Sequence, residues 1–151
     1  MAKKISNPAK KKAWDAFSRW KRVKDCIATT GLPFCGVCVT CLRQFHISYL
    51  DAGHCFAGRS NAGLFHEQLV NAQCRNCNQV HHGKPTKYRK IMEAKYSKKK
   101  VAKWEVEGKK VKHNRDMDFD GIREKYKDKT NELLRPLGYN NYDEMIRSRN
   151  E

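Results

Sequence analysis

The sequence predicts a small α+β domain that a four-cysteine metal knuckle holds together and that N-terminal and C-terminal helices flank. Two CxxC pairs stand on either side of a long intervening segment. That segment contains a run of aromatic and β-branched residues, which is typical of a strand. Amphipathic stretches with helical spacing lie before and after it. With 39% hydrophobic residues the 151-residue chain has a small core, so we expect a bound metal to contribute to its stability.

The N-terminal region predicts a tail followed by one helix. Residues 1–12 are rich in lysine and predict a basic, flexible tail. Residues 13–27 predict a helix whose tryptophans we interpret as core, with base stacking as the alternative. Its apolar stripe is Trp14, Phe17, Trp20, Val23 and Ile27.

The middle of the chain predicts strands and helices around the cysteines. A strand is expected over 45–50, with 52–56 as its antiparallel partner or its continuation. Residues 71–82 hold the second cysteine pair and are expected to open a helix, which Gly83 and Pro85 end. Another helix is predicted over 87–96. Residues 13–96 are thus predicted to form the zinc-stapled domain with its leading helix.

The remaining residues, 97–151, predict a basic and mostly helical C-terminal extension. Its clearest element is a helix over 119–134, where Phe119, Ile122, Tyr126 and Leu133 form a buried stripe that Pro136 follows. This stripe has two explanations, namely packing within the chain or contact with a second copy in a homodimer.

The charge of the chain indicates a nucleic-acid partner. There are 32 Lys and Arg against 16 Asp and Glu, a formal net charge of +16, and neutralised phosphates release condensed counterions. No stretch is apolar for long enough to cross a bilayer, and the N-terminus lacks the apolar run of a signal peptide. We therefore expect no membrane partner and a cytoplasmic location, where seven cysteines are metal ligands or free thiols rather than disulfides.

The cysteine spacing predicts a structural zinc site. Cys38, Cys41, Cys74 and Cys77 form two CxxC turns, and four thiolates suit tetrahedral zinc. Cys35 and Cys38 are also a CxxC pair, so local chemistry leaves open which pair binds. Cys26 and Cys55 have no partner at ligand spacing and are interpreted as buried or free thiols. A closed four-cysteine site has no open position, and any chemistry must lie elsewhere.

The residues between and after the cysteine pairs resemble a known family. The order is an Ala-Gly-His tripeptide ending at His54, an Arg at 59, a Leu-Phe pair at 64–65, Asn71 before the second pair and Asn78 directly after it. This layout is similar to that of HNH nucleases, among them phage endonuclease VII. It resembles most closely the phage recombination proteins of the NinG/Rap family, over residues 14–96, with Trp14, Phe17 and Asp25 in the leading helix.

This resemblance implies a ββα-metal (HNH, or His-Me finger) core and a metal-dependent endonuclease. It implies DNA as the partner, specifically branched recombination intermediates, and the host-cell cytoplasm as the location if a phage encodes the chain. It favours Cys38 and Cys41 over Cys35 as the first ligand pair. It also implies that Asn71 orients the loop of His54.

The expected chemistry is phosphodiester hydrolysis. His54 is the candidate general base, since its ordinary pKa lies near the working pH. The amide oxygen of Asn78 suits a catalytic Mg²⁺ or Mn²⁺, with Asp51 as a second ligand and His82 as a third if the helix continues past Asn78. Phosphate contacts are expected from three cations, Arg59, Lys84 and Lys87. The alternative function is a non-catalytic zinc protein that binds DNA or RNA.

Overall fold

The computed structural model describes residues 7–148 and shows six α-helices and two small antiparallel sheets in that part of the chain. The helices are α1 (Pro8–Thr30), α2 (Asn61–Leu64), α3 (Pro85–Tyr96), α4 (Lys98–Gly108), α5 (Phe119–Leu134) and α6 (Tyr142–Ser148). The strands are β1 (Cys35–Val37), β2 (Gln44–His46), β3 (Leu50–His54) and β4 (Val70–Cys74). Strand β1 pairs with β2, and β3 pairs with β4. The predicted α+β class is confirmed.

Helix α1 begins earlier than the sequence predicts. The side chain of Asn7 accepts a hydrogen bond from the Lys10 amide at 3.1 Å, and Pro8 takes the first helical position, where its missing N–H costs nothing. Gly31, with φ of +79°, ends the helix. The predicted helix over 13–27 is therefore longer at both ends. The tail predicted over 1–12 is corrected for residues 8–12, which are helical, and residues 1–6 lie outside the described part.

The strand predicted over 45–50 is divided by a helical turn. The His46 ring accepts from the Ser48 amide at 3.2 Å, which starts a turn over Ile47–Tyr49 between β2 and β3. Residues 52–54 continue β3, and their antiparallel partner is β4. The register sets Gly53 opposite Asn71 and His54 opposite Val70.

The helix predicted over 71–82 is wrong. Residues 70–74 form strand β4, all five of them buried, because they pair with β3 on one edge and lie beneath α1. Only a short helical turn, Asn76–Val80, follows, and His82 and Gly83 then adopt φ values of +53° and +85°. Pro85 does not end that turn but opens α3, which confirms the helix predicted over 87–96.

The C-terminal residues complete the same core. The helix predicted over 119–134 is confirmed as α5, which packs along α1 with the Phe17 and Tyr126 rings 4.8 Å apart, edge to face. Leu134 and Met145 are fully buried in the cluster that also contains Cys38. Residues 97–148, predicted as an extension, are thus part of the packed domain. No helix within residues 7–148 has the length and apolar character needed to cross a bilayer.

Candidate functional site

Four cysteines converge on one point between the two sheets. The Sγ atoms of Cys38, Cys41, Cys74 and Cys77 all lie within 4.8 Å of one another. The Cys41 and Cys74 sulfurs are 3.9 Å apart, close to the roughly 3.8 Å between neighbouring sulfurs of a tetrahedral Zn–S₄ unit. The four cysteines are therefore positioned to bind one metal ion, and a structural zinc is compatible with the donor set.

Each CxxC turn also directs its backbone toward sulfur. The Cys41 amide donates to Cys38 Sγ at 3.5 Å, and the Cys77 amide donates to Cys74 Sγ at 3.4 Å. Burial opposes ionisation of Cys38, but the Cys41 amide and the Thr40 hydroxyl outweigh it, so the pKa of this thiol falls to about 6. The first turn thus favours the thiolate of Cys38, whereas burial raises the pKa of Cys41 and raises that of Cys74 to about 12.

The other three cysteines lie outside this cluster. Cys35 is in strand β1, and its carbonyl accepts from the Thr30 hydroxyl at 2.6 Å. Cys38 and Cys41 are thus in the cluster and Cys35 is not, which agrees with the pair that the resemblance favours. Cys26 and Cys55 are buried thiols, as expected, and burial raises the pKa of each to about 12.

A separate open cleft of about 520 Å³ contains the predicted catalytic residues His54 and Asn78. His54 lies at the end of β3 and Asn78 in the turn after β4, so the hairpin brings together residues 24 positions apart. Arg59 borders the same cleft. Helix α1 forms the facing wall with Lys10 and Trp14.

The His54 ring is held in one orientation. Its Nε2 lies 3.0 Å from the Leu64 carbonyl oxygen, and the ring stacks on Trp14. Burial and the charge of Arg59 lower the pKa of His54 to about 3, so the ring is neutral at physiological pH. A carbonyl can only accept, so Nε2 carries the proton and Nδ1 carries the free lone pair.

Asn78 and Asp51 are in direct contact. The Asn78 amide Nδ2 donates to Asp51 Oδ2 at 3.0 Å, and Gln79 Nε2 donates to the same oxygen at 2.9 Å. Arg75 lies 3.8 Å from the other carboxylate oxygen. Asn78 borders the cleft whereas Asp51 stands behind it, so the carboxylate holds the amide nitrogen and leaves the amide oxygen for the cleft.

His82 does not join this site. The expectation required the helix to continue from Asn78 to His82, but the turn ends at Val80 and His82 has a left-handed backbone. Its side chain is exposed and does not border the cleft. Within residues 7–148, the four-cysteine cluster is the sole group of three or more His, Cys, Asp or Glu side chains placed to share a metal.

The three predicted phosphate contacts have different surroundings. Arg59 is half-buried in the cleft, and its Nε has no hydrogen-bond partner within residues 7–148. A buried guanidinium nitrogen without a partner is costly, and the Arg59 side chain borders the cleft in which an anion would bind. Lys84 and Lys87 lie at the beginning of α3, outside the cleft, with Lys87 exposed.

Asn71 lies in a buried hydrogen-bond network rather than in the cleft. Only 5% of it is exposed. Its Nδ2 donates to the Gln68 carbonyl at 3.0 Å and to the Tyr88 hydroxyl at 3.0 Å, and that hydroxyl donates to the Gly53 carbonyl at 2.8 Å. Asn71 thus contacts the segment beside His54 through Tyr88, and no contact with substrate is open to it.

Several residues of the buried network around Asn71 were not identified from the sequence. Lys21 is buried and donates to Asp25 Oδ1 at 2.7 Å and to Asn71 Oδ1 at 3.3 Å, and burial lowers its pKa. The other Asp25 oxygen accepts from the Ala72 amide at 2.8 Å. Trp14 and Asp25 carried a signal, because both belong to the resemblance in the leading helix. Lys21 had no such indication, since a Lys–Asp pair four residues apart is ordinarily exposed, and Tyr88 was expected only as an apolar position of the helix over 87–96.

Comparison with known proteins gives one match. The model of the family described as "Bacteriophage Lambda NinG protein" matches residues 2–135. The match extends well past residue 96, where the resemblance in the sequence motifs stops, and it includes α4 and α5. No curated protein and no solved structure matches the chain.

Proposed function

The chain belongs to the bacteriophage lambda NinG family, and from this premise we propose that it is a metal-dependent DNA endonuclease of the HNH kind. The proposed substrates are branched recombination intermediates. The observation that carries the nuclease proposal is that a neutral, fixed histidine shares one cleft with Asn78 and with an unpaired arginine. The preference for branched DNA rests on the family resemblance.

We propose His54 as the general base. Its pKa of about 3 makes it a weak base in the free protein, and the negative charge of a bound phosphate would raise that pKa. Because Leu64 holds the proton on Nε2, the free lone pair of Nδ1 takes a proton from the attacking water. The water oxygen forms a bond to phosphorus as the P–O3′ bond breaks. The leaving 3′ oxygen then takes a proton from solvent, so the products carry a 5′-phosphate and a 3′-hydroxyl.

Two further groups act on the phosphate. Arg59 neutralises the charge on the non-bridging oxygens with its otherwise unpaired guanidinium. The amide oxygen of Asn78, which Asp51 orients from behind the cleft, would be the ligand that the chain offers to a Mg²⁺ or Mn²⁺ ion there. When bound, that ion stabilises negative charge on the phosphate and on the leaving oxygen.

The four-cysteine cluster takes no part in this chemistry. We propose that it binds a structural Zn²⁺, because a closed set of four thiolates leaves no position for water or substrate. The bound zinc would instead determine the position of Asn78, since Cys74 ends β4 and Cys77 lies one residue before Asn78. Binding zinc fixes the turn that presents Asn78 to the cleft.

Cleavage of defined DNA structures tests the proposal. Purified full-length protein is incubated with four-way junctions, forks and linear duplexes, with Mg²⁺, with Mn²⁺ and with no added divalent ion. We expect divalent-dependent cutting of branched DNA that leaves 5′-phosphate ends. Chelators are avoided because they would also remove zinc.

The variant His54→Gln separates catalysis from binding. We expect it to bind the junction as wild type does but to lose cutting by at least about a hundredfold, the scale of a general base. Equal cutting by His54→Gln would reject His54 as the base. Binding without cutting by wild type, under every divalent ion, would instead support the alternative of a non-catalytic zinc protein that binds nucleic acid.

Resolution of a four-way junction requires two cuts, and we propose that two copies of the chain act together. Sizing the protein by light scattering with and without a junction tests this. A single copy bound per junction contradicts it.

A further inference from the structure

The α3–α4 hairpin and the segment after it, residues 84–115, form a strongly basic surface that we call the basic hairpin. It contains thirteen Lys and Arg against three Glu. Ten of the sixteen net positive charges of the chain are therefore concentrated in about a fifth of its length. Such a concentration attracts a polyanion more strongly than the same charge dispersed over the surface.

The three glutamates are all engaged inside the hairpin. Arg89 bridges the two helices, 3.0 Å from Glu105 and 3.7 Å from Glu93. Glu105 also pairs with Lys109 at 3.3 Å, and Glu107 pairs with Lys103 at 3.9 Å. Within residues 7–148, the other ten cations of the hairpin have no carboxylate partner, and all but the half-buried Lys84 are exposed. These ten cations are available to contact phosphate groups.

The C-terminal end of the basic hairpin contacts the border of the cleft, whereas its start is joined to strand β4, where the Gly83 carbonyl accepts from Gln73 at 2.9 Å. At the end of α4, the Gly108 carbonyl accepts from the Ser60 amide at 2.9 Å, and Asn61 donates to the Lys112 carbonyl at 3.1 Å. Ser60 and Asn61 border the cleft, so the basic surface is continuous with the site of cleavage.

The tip of the hairpin at Lys98 lies ten residues before Gly108 in α4, about 15 Å along the helix from the end that contacts Ser60. The twelve residues of α3 span about 18 Å, which corresponds to about five base pairs of duplex at 3.4 Å each. Lys98, Lys99 and Lys100 lie at the far tip, where Ser97 joins the two helices with a φ of +103°. A straight duplex leaving the cleft can therefore meet cations along this whole length.

The aromatic side chains of the hairpin point to duplex rather than single-stranded nucleic acid. Single strands are bound by exposed rings on which bases stack. Here Tyr88 is fully buried, and the half-buried rings of Tyr96 and Trp104 contact each other at 5.2 Å. The exposed residues of the two helices include many lysines but no Tyr, Trp or Phe, which suits contact with the backbone of a paired helix.

We infer that the basic hairpin binds one double-stranded arm of the DNA whose branch lies in the cleft. The inference rests on the proposed function for its choice of DNA. It assigns a position and a direction to the arm, which leaves the cleft beside Gly108 and runs toward the tip at Lys98–Lys100. Contact is with phosphates, so it contributes affinity and orientation but no sequence preference.

The test compares two triple variants of the full-length protein that remove equal charge. One replaces the tip, Lys98→Gln, Lys99→Gln and Lys100→Gln. The matched control removes three exposed cations on and after α5, Lys125→Gln, Lys127→Gln and Arg135→Gln. Binding to a long-armed four-way junction is measured at several salt concentrations with Ca²⁺ present. All six side chains are exposed, so both variants should fold, which circular dichroism and metal content verify.

We expect the tip variant to bind at least about tenfold more weakly and its log K against log salt slope to fall by about 2 to 3, since each lost phosphate contact removes about 0.9. The control slope should change by less than about 1. The variant with arginine at the three tip positions should bind as wild type.

Other results would overturn the inference. Equal slope changes in the tip and control variants would show that only net charge matters. Equal weakening on single-stranded DNA would show that the hairpin does not select a duplex arm. Failure of the nuclease proposal is recognised separately, because wild type would then bind junctions with the salt dependence described but cut none of them.

Discussion

The indole of Trp14 lies stacked on the imidazole of His54, with ring centroids 5.0 Å apart and planes inclined by 18°. Trp14 belongs to the first helix and His54 to the end of a strand 40 residues later. The leading helix therefore contributes a wall of the cleft as well as core residues. Our interpretation of the tryptophans as core holds for Trp20, which is 2% exposed, but Trp14 is half-buried and borders the cleft.

This stacking predicts that Trp14 positions His54. Trp14→Ala should let water reach the imidazole and raise the pKa of His54 toward its ordinary range, because burial is the main cause of the lowered value. We expect cleavage to fall by about tenfold and the free energy of unfolding by about 1 to 3 kcal/mol, less than for a fully buried Trp. Trp14→Phe retains an aromatic face and should recover most of both. Nuclear magnetic resonance of the His54 ring provides the pKa, and an unchanged value in Trp14→Ala would refute the role.

Arg59 provides a second test of the His54 environment. Burial is the largest cause of the lowered pKa of His54, and the positive charge of Arg59 is the second. Arg59→Met should therefore raise that pKa in the free protein. Lys125→Met, on α5, is the matched control and should leave it unchanged. A histidine resonance that titrates identically in all three proteins would contradict the arrangement of the cleft.

The same depressed pKa predicts how stability depends on pH. The unfolded chain binds a proton on His54 below about pH 6.5, whereas the folded chain resists it until about pH 3. Folding stability from this group is therefore lost as pH falls through that window. Between pH 7 and 5 wild type should lose on the order of 1 to 2 kcal/mol more than His54→Gln, measured by urea unfolding. An equal loss in both proteins would show that His54 protonates freely when folded.

The metal cluster predicts different outcomes for two neighbouring cysteines. Cys41→Ser removes one of four converging sulfurs, and we expect it to lose bound zinc and to unfold at a lower temperature. Cys35→Ser changes a thiol outside the cluster and should retain one zinc per chain. Metal content by mass spectrometry and thermal unfolding measure both. Loss of zinc from Cys35→Ser together with retention in Cys41→Ser would mean that the first ligand pair is misassigned.

The buried hydrogen-bond network predicts that removing the Tyr88 hydroxyl lowers the free energy of unfolding. Tyr88→Phe leaves the Gly53 carbonyl without its donor and removes one acceptor of Asn71. We expect unfolding to become easier by about 1 to 3 kcal/mol and cleavage to decrease, since the strand end that carries His54 is no longer held. Tyr96→Phe is the matched control, because its half-buried hydroxyl makes no hydrogen bond within residues 7–148, and should cost less than about 0.5 kcal/mol. Equal stability of the two variants would argue against the network.

Features that depend on short-range spacing could be predicted from the amino-acid sequence alone. A CxxC turn brings two sulfurs and two amides together within four residues, so both ligand pairs could be identified in advance, and the resemblance chose between Cys35 and Cys41. Strong helical periodicity likewise identified α3 and α5. The NinG family was indicated by motifs whose order and spacing survive in one linear segment.

The surroundings of His54 and the conformation of the segment around Asn71 depend instead on tertiary contacts. Residues 70–74 are a strand because β3 and α1 cover them, a condition that no local pattern reports. Likewise, contacts with the site come from distant helices. Trp14 lies 40 positions from His54, Lys21 lies 50 from Asn71, and Tyr88 lies 35 from Gly53. Their roles come from contacts between distant parts of the chain, and such contacts exist only once hydrophobic burial has brought α1, α3 and the β3–β4 hairpin together.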